Sequence, residues 1–300
     1  MAESVVGPWA VDKLDRLGKY LSAYTTIMKE QKWCEGFCYI DAFAGPGEHE
    51  LRTKEQGQPD TKTSPLVDVA SFGQAQDEQQ QFLAGSPRVA LNILHPFTRY
   101  VFIDRSPTRV ARLESLKEEY GKCRAIYIRQ QDCNDYLQKN VVADPNVNWR
   151  RNRALVFLDP FGMQVPWRTL ELLGQTNAIE VFLNFPVGMA IQRLLPRDSG
   201  KITDQRRATL DEYFGSPEWY DVVYRTTRTL FGDEEEKIEQ SGKRLVKWYQ
   251  SRLQAAFGHV TKAALIRNTR GGHLYYLLLA SPNRTGAKIA DHILGAGETI

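Results

Sequence analysis

The chain is expected to be an α/β protein with a mostly parallel sheet of seven strands, closed by a terminal antiparallel hairpin and carrying a helical insertion. Three observations predict this. Five apolar runs alternate with helical spacings, four of those runs end at a carboxylate, and the last two apolar runs are joined across a Gly-Gly pair.

Residues 11–31 set Leu14, Leu17, Tyr20, Leu21, Tyr24 and Ile27 at helical spacing, which predicts an amphipathic helix that packs on the sheet or covers a ligand mouth. The first strand, Cys38-Tyr39-Ile40, runs into D-x-F-x-G-x-G at Asp41, Phe43, Gly45 and Gly47. Residues without a side chain let the backbone turn sharply and approach a ligand, so this reads as a nucleotide-type cofactor loop, although a tight strand-to-helix connection looks the same. The polar, Gln-rich stretch 48–85 is long for such a connection and reads as a mobile flap or a disordered segment. Ser86 and Pro87 then suit the cap and first position of a helix through 88–94. The second strand, Tyr100–Ile103, ends in Asp104 before a helical run 107–120, and the third, Ala125–Ile128, leads to Asp132. The fourth, Ala154–Leu158, ends in Asp159-Pro160-Phe161-Gly162, a helix follows over 167–173, and Ile179–Asn184 is the fifth. Residues 190–258 carry helical spacings and no strand pattern, so a helical insertion is expected there between strands five and six. Runs at 263–266 and 273–280 with Gly271-Gly272 between them predict the hairpin, and helical spacing returns at 287–294.

At 300 residues the chain has room for one large domain, 1–300, with its insertion. Hydrophobic residues make up 42% and charged residues 25%, with a mean hydropathy of -0.44, so no composition class other than an ordinary globule fits. A net charge of +3 permits nucleic-acid contact without arguing for it. Cys34, Cys38, Cys123 and Cys133 lack C-x-x-C spacing, so they are expected to be free or structural thiols, and no metal is expected. No apolar run approaches the ~20 residues needed to span a bilayer, and the start carries no charged-then-apolar signal, which leads to the expectation of a cytoplasmic protein.

Five alternating strands followed by an antiparallel end is how a Rossmann-like methyltransferase sheet is built, whereas a dinucleotide dehydrogenase lacks that end. Right-handed crossovers bring Asp41, Asp104, Asp132 and Asp159 to one sheet edge. S-adenosylmethionine presents an ammonium, two ribose hydroxyls and an adenine amine, and its pocket therefore wants separated acceptors. Gly45 and Gly47 are assigned to close backbone approach, Asp41 to the methionine amine directly or through water, Asp104 to the ribose diol and Asp132 to the adenine amine. Each carboxylate could equally cap a helix or form a turn. A phosphate loop of the G-x-x-x-x-G-K type is missing after strand one.

The Asp159-Pro160-Phe161-Gly162 motif resembles the D-P-P-Y type motif of enzymes that methylate exocyclic amines, and its D-P-F-G form is seen in guanosine-N2 methyltransferases of transfer RNA. There the Asp carboxylate and Pro carbonyl accept the amine's hydrogens while the aromatic ring stacks on the base. The competing reading is a turn with Phe161 in the core. Asn184, with Phe185 and Pro186, could add an amide and a ring. Arg193, Arg197, Arg206 and Arg207 gather at the start of the insertion, where they suit a polyanionic substrate or a plain solvated face.

Trp9, Tyr20, Tyr24, the run Tyr39–Gly47, Gly85-Ser86-Pro87, Phe102-Ile103-Asp104, Phe157–Val165, Arg193–Arg197, Tyr275 and Gly286–Ala290 together resemble the three-Cys-motif partner protein family, TcmP, over nearly the full length. The resemblance implies a bacterial protein with a methyltransferase-like fold and S-adenosylmethionine as cofactor. It also implies a radical-SAM-type partner that bears the three cysteines. The sequence departs from the family in its longer Gln-rich stretch before Gly85. Two rivals stand beside an amino-group methyltransferase: a non-catalytic binding subunit of that partner, and an NAD-type oxidoreductase, which the terminal hairpin and D-P-F-G disfavour.

Overall fold

The computed structural model describes residues 8–45, 85–229, 232–268 and 271–300. Gly47 and the expected polar loop up to residue 84 lie outside the described residues. Strands β1 (Gly36–Asp41), β2 (Arg99–Asp104), β3 (Ile126–Gln130), β4 (Asn152–Leu158) and β5 (Ile179–Phe185) pair in parallel in the order β3-β2-β1-β4-β5. Buried on both faces, they read as continuous apolar runs: all seven residues of β5 are buried. The hairpin of β9 (Ala264–Arg267) and β10 (His273–Ser281) adds to this edge, with β10 antiparallel to β5 and β9 antiparallel to β10. Gly271 takes φ +79° in the connection between them, as the glycine pair predicts.

Helices cover both faces. On one lie α1 (Pro8–Met28), α2 (Ser86–Leu91), α3 (Pro107–Tyr120) and the C-terminal helix Arg284–Leu294, which bury Leu17, Tyr20, Leu91, Leu113 and Leu294 with Tyr39, Phe102 and Phe157 of the sheet. On the other lie α4 (Cys133–Tyr136, continuing as a π turn over Leu137–Val142) and α5 (Trp167–Gln175), together with the helices between β5 and His259. The order in which strands are added reverses between β1 and β4: β2 and β3 lie to one side of β1, and β4 and β5 to the other. The crevice at a switch point of this kind, outside the carboxyl ends of the strands, is where open α/β sheets bind ligands.

Three sequence expectations need correction. The main sheet has eight strands, because the two-residue β8 (His259–Val260) pairs with the end of β10 and is too short to leave a periodic signal. The insertion, expected to be helical, has helices α6 (Asp204–Phe214) and α7 (Trp219–Val223) but also a separate antiparallel hairpin, β6 (Tyr224–Thr229) with β7 (Gly232–Lys237). That hairpin carries no apolar alternation: Arg225 pairs with Glu236 across it at 2.5 Å, and threonines supply the β-branched positions. Helix α2 begins one residue earlier than expected, with Gly85 rather than Ser86 at the cap. The Ser86 side chain is buried and bonds the Asp41 carboxylate instead.

Candidate functional site

The topology brings the four predicted carboxylates to one edge. Asp41 and Asp104 are the last residues of β1 and β2, Asp159 follows β4 directly, and Asp132 stands two residues beyond β3. Asp41 and Asp159 therefore flank the switch point.

After β1 the chain is tied to both neighbouring strands. The Ala42 amide donates to the Phe157 carbonyl at 3.1 Å, the Ala44 amide to the Ile103 carbonyl at 3.0 Å, and the Gly45 amide to the Asp104 carboxylate at 3.2 Å. Gly45 takes φ +63°, where side chains are strained, so this position in D-x-F-x-G is glycine for a backbone reason. Asp41 is fully buried and turned into the loop, accepting from the Phe43 amide at 3.3 Å, the Tyr39 hydroxyl at 3.2 Å and the Ser86 side chain. Burial pushes its carboxyl up to about 7; the nearby Asp159 adds to the rise and those hydrogen bonds oppose it. Phe43 is half-buried beside it.

The residue that sequence reasoning missed is Lys13. It projects from α1 with no exposed surface, and its Nζ donates to Asp159 Oδ2 at 2.5 Å. Asn184 Nδ2 donates to Asp159 Oδ1, also at 2.5 Å, and Asp159 and Asn184 are likewise fully buried. The ammonium lies 4.9 Å from the Tyr275 ring centroid and 6.0 Å from that of Phe157. Burial lowers the Lys13 ammonium to about 8, against the attraction of Asp159 and, more weakly, Asp41. Lys13 shares one helix face with Leu17, Tyr20 and Tyr24, so a lysine on the apolar face was the available signal. A second buried contact fastens the same helix, because the Tyr20 hydroxyl donates to Glu180 on β5, and Ser281 at the end of β10 donates to that carboxylate at 2.9 Å.

The remaining predicted residues separate into those that face a ligand edge and those already engaged. Asp104 accepts from Gly45, from the Ser106 amide at 2.7 Å and from Arg109 Nε at 2.9 Å. A carboxylate has about four lone-pair sites, so one remains for a ribose hydroxyl. Asp132 caps α4, with Oδ1 accepting from the Asn134 and Asp135 amides and Oδ2 3.7 Å from Arg105. The capping reading of Asp132 is therefore realised, and Oδ2 keeps room for a further donor. In the D-P-F-G turn the Phe161 amide donates to the Gln164 side chain at 2.9 Å. Pro160 is buried, while Phe161 is half-buried and belongs to neither core cluster, so the reading of Phe161 as a core residue fails. Phe185, the ring expected to join the site beside Asn184, is instead buried and stacked on Tyr249 at 4.2 Å. Arg193, Arg197, Arg206 and Arg207 are all exposed, and Arg207 lies over the Tyr220 ring at 4.4 Å.

This arrangement fits an adenosyl cofactor in part. The glycine turn and the spare acceptors on Asp104 and Asp132 suit one. Asp41 serves its own loop, so a ligand amine has no direct route to it. Asn184 Oδ1 is a buried acceptor without a hydrogen-bond partner among the described residues, next to a carboxylate that already holds an amine. Together they form a subsite for N–H donors. The four cysteines are free thiols, and among the described residues no group of three or more His, Cys, Asp or Glu side chains could hold a metal ion. No described helix is long and apolar enough to cross a membrane. No protein-family model matches the chain, and the search of curated proteins found no match either.

Proposed function

We propose that the protein is an S-adenosylmethionine-dependent methyltransferase homologue of the Rossmann-like kind. In this reading it acts in the cytoplasm on an amino group of a nucleic-acid base, together with the radical-SAM-type three-Cys-motif partner that its resemblance to TcmP implies. The observation that carries the reading is the amine of Lys13 seated on Asp159, whose other oxygen accepts from Asn184, at the switch point, because a site that holds one amine by its N–H bonds suits another. When bound, the cofactor would supply an electrophilic methyl group. Asp159 and the Pro160 carbonyl would orient the amine's lone pair, Phe161 would hold the base plane, and Gly45, Asp104 and Asp132 would hold the cofactor. Arg193, Arg197, Arg206 and Arg207 would attract the polyanion. A substrate amine must take the place of Lys13, so turnover requires α1 to shift.

The complete burial of Lys13, Asp159 and Asn184 favours a second reading, a non-catalytic subunit whose acceptor is permanently filled by its own lysine. Calorimetric titration with S-adenosylhomocysteine and tritiated methyl transfer to nucleic acid from cells lacking the gene, with and without the partner, separate the two. Asp159→Asn is expected to keep cofactor affinity and to lower transfer by at least ~100-fold, as loss of a preorganised polar contact does. Equal labelling by wild type and variant makes D-P-F-G a structural turn. Cofactor binding without any labelling selects the non-catalytic subunit, and absence of cofactor binding ends the methyltransferase reading.

A further inference from the structure

The opposite edge of the sheet holds a separate cavity of about 410 Å³. Its walls are the amino ends of β1, β2 and β4, the exposed face of β3, the π turn after α4 and the loop that precedes β4. Its volume falls within the roughly 300–1,000 Å³ of small-molecule sites. Arg99, Arg129 and Arg153 line it, and among the described residues none of them forms an ion pair with a carboxylate, while the Arg153 guanidinium lies over the ring of Trp33, which is not part of the lining, at 4.3 Å. Arg129 and Arg153 are held in place by backbone carbonyls: Arg129 donates to Ile128 at 2.9 Å, and Arg153 to Trp149 and Asn152, each at 2.7 Å. Asp144 is the acid in the lining, and its carboxylate is engaged by the amide and side chain of Asn146. Arg99 and Arg129 outnumber the single Asp144 carboxylate, so the lining carries net positive charge.

Rings stand beside that charge. Tyr127 is 42% exposed on the wall and carries the Arg129 guanidinium 5.6 Å from its ring centroid. Trp149 lines the same space, and its indole Nε1–H is a buried donor without a hydrogen-bond partner among the described residues. Buried donors are ordinarily satisfied, so an orphan donor beside a cavity points to an absent acceptor. Guanidinium forks match phosphate oxygens, and aromatic faces take a planar base.

We propose that this amino-edge cavity binds a nucleoside phosphate, with the phosphate on Arg99 and Arg129 and the base against Tyr127 and Trp149. The site is independent of the methyltransferase reading, which concerns the carboxyl edge. The same chemistry is offered by a free mononucleotide and by the 5′-phosphorylated end of a nucleic acid. Titration calorimetry of the full chain with adenosine and uridine 5′-monophosphates, adenosine, inorganic phosphate, and a short oligonucleotide with and without its 5′-phosphate tests it. One monophosphate is expected to bind per chain, with adenosine and phosphate alone roughly 10- to 100-fold weaker, and excess S-adenosylhomocysteine should leave binding unchanged. Arg99→Ala should weaken the monophosphate by a similar factor, and Tyr127→Leu should weaken it while sparing inorganic phosphate. Tighter binding of the 5′-phosphorylated oligonucleotide than of the mononucleotide assigns the site to a chain end, and the reverse assigns it to a free nucleotide. No saturable binding, adenosine as tight as its monophosphate, or unchanged affinity in Arg99→Ala overturns the proposal.

Discussion

At the scale of single residues, the two fully buried carboxylates at the switch point have been given different work by their partners. Asp159 keeps two donors, Lys13 and Asn184, so removing it takes the carboxylate away from a buried ammonium, a change that costs about 3–5 kcal/mol in comparable pairs. Asp159→Ala would thus confuse stability with chemistry, which is why Asp159→Asn is the better probe. Among the described residues no cation is bonded to Asp41, and its carboxyl is raised from 3.8 to about 7. The folded chain therefore binds this proton more tightly than the unfolded chain. The stabilisation that follows is complete below about pH 4 and is lost as pH rises towards 7, at a limiting slope of about 1.4 kcal/mol per pH unit. Asp41→Asn removes this term, so urea denaturation should find the variant gaining on wild type between pH 4 and pH 7. A stability difference that stays constant across that window would mean Asp41 titrates normally. The carboxylates at strand ends were legible in the sequence because strands alternate with helices. The partner of Asp159 was not, because Lys13 lies 146 positions away and only the packing of α1 brings them together.

Among elements, those with strong apolar periodicity were legible, and those built from charge were not. The five parallel strands, α1, α3 and the β9–β10 hairpin stand within a few residues of expectation, since their burial writes the pattern. The β6–β7 hairpin hides because an ion pair bridges it and its residues 225–228, 235 and 236 are exposed. A different kind of constraint, also silent in periodicity, is the backbone approach of the π turn Val187–Ile191 to β10. A Cβ placed on Gly188 would fall on the His273 carbonyl oxygen, with the Leu274 carbonyl at 3.1 Å. Backbone atoms cannot swing aside as a side chain can. Gly188→Ala should therefore lower stability by about 1–3 kcal/mol in urea titration. Gly162→Ala, whose added methyl meets, among the described residues, only Ala190 at 3.7 Å, should be within about 0.5 kcal/mol of wild type. Equal effects at the two positions would show that the π turn can move off the strand.

Across the whole molecule, the insertion is joined to the sheet by aromatic packing rather than carried as an appendage. Phe185, the last residue of β5, stacks on Tyr249 of helix Ser241–Phe257 at 4.2 Å, and Tyr213 of α6 lies parallel to Tyr249 with the ring centroids 6.3 Å apart. Leu210, Phe214, Trp219 and Val223 of the insertion share one buried cluster with Val156, Leu183 and Leu278 of the sheet. Helix Ser241–Phe257 itself packs on the sheet through Leu245, Leu253 and Phe257, so the end of the expected insertion belongs to the α/β body. A shared core makes unfolding of one part expose the other, which predicts a single cooperative transition. Tyr213→Ala opens a cavity between the insertion and β5 and should cost about 3–5 kcal/mol, the range for large aromatic truncations. In thermal melts, far-ultraviolet circular dichroism follows the helices and strands, and near-ultraviolet dichroism follows the aromatic packing. Both signals are expected to move together to a Tm lower by roughly 5–10 °C. If the near-ultraviolet signal of the variant is lost first while the far-ultraviolet transition keeps its wild-type midpoint, the insertion is a separately stable unit that can open without the sheet.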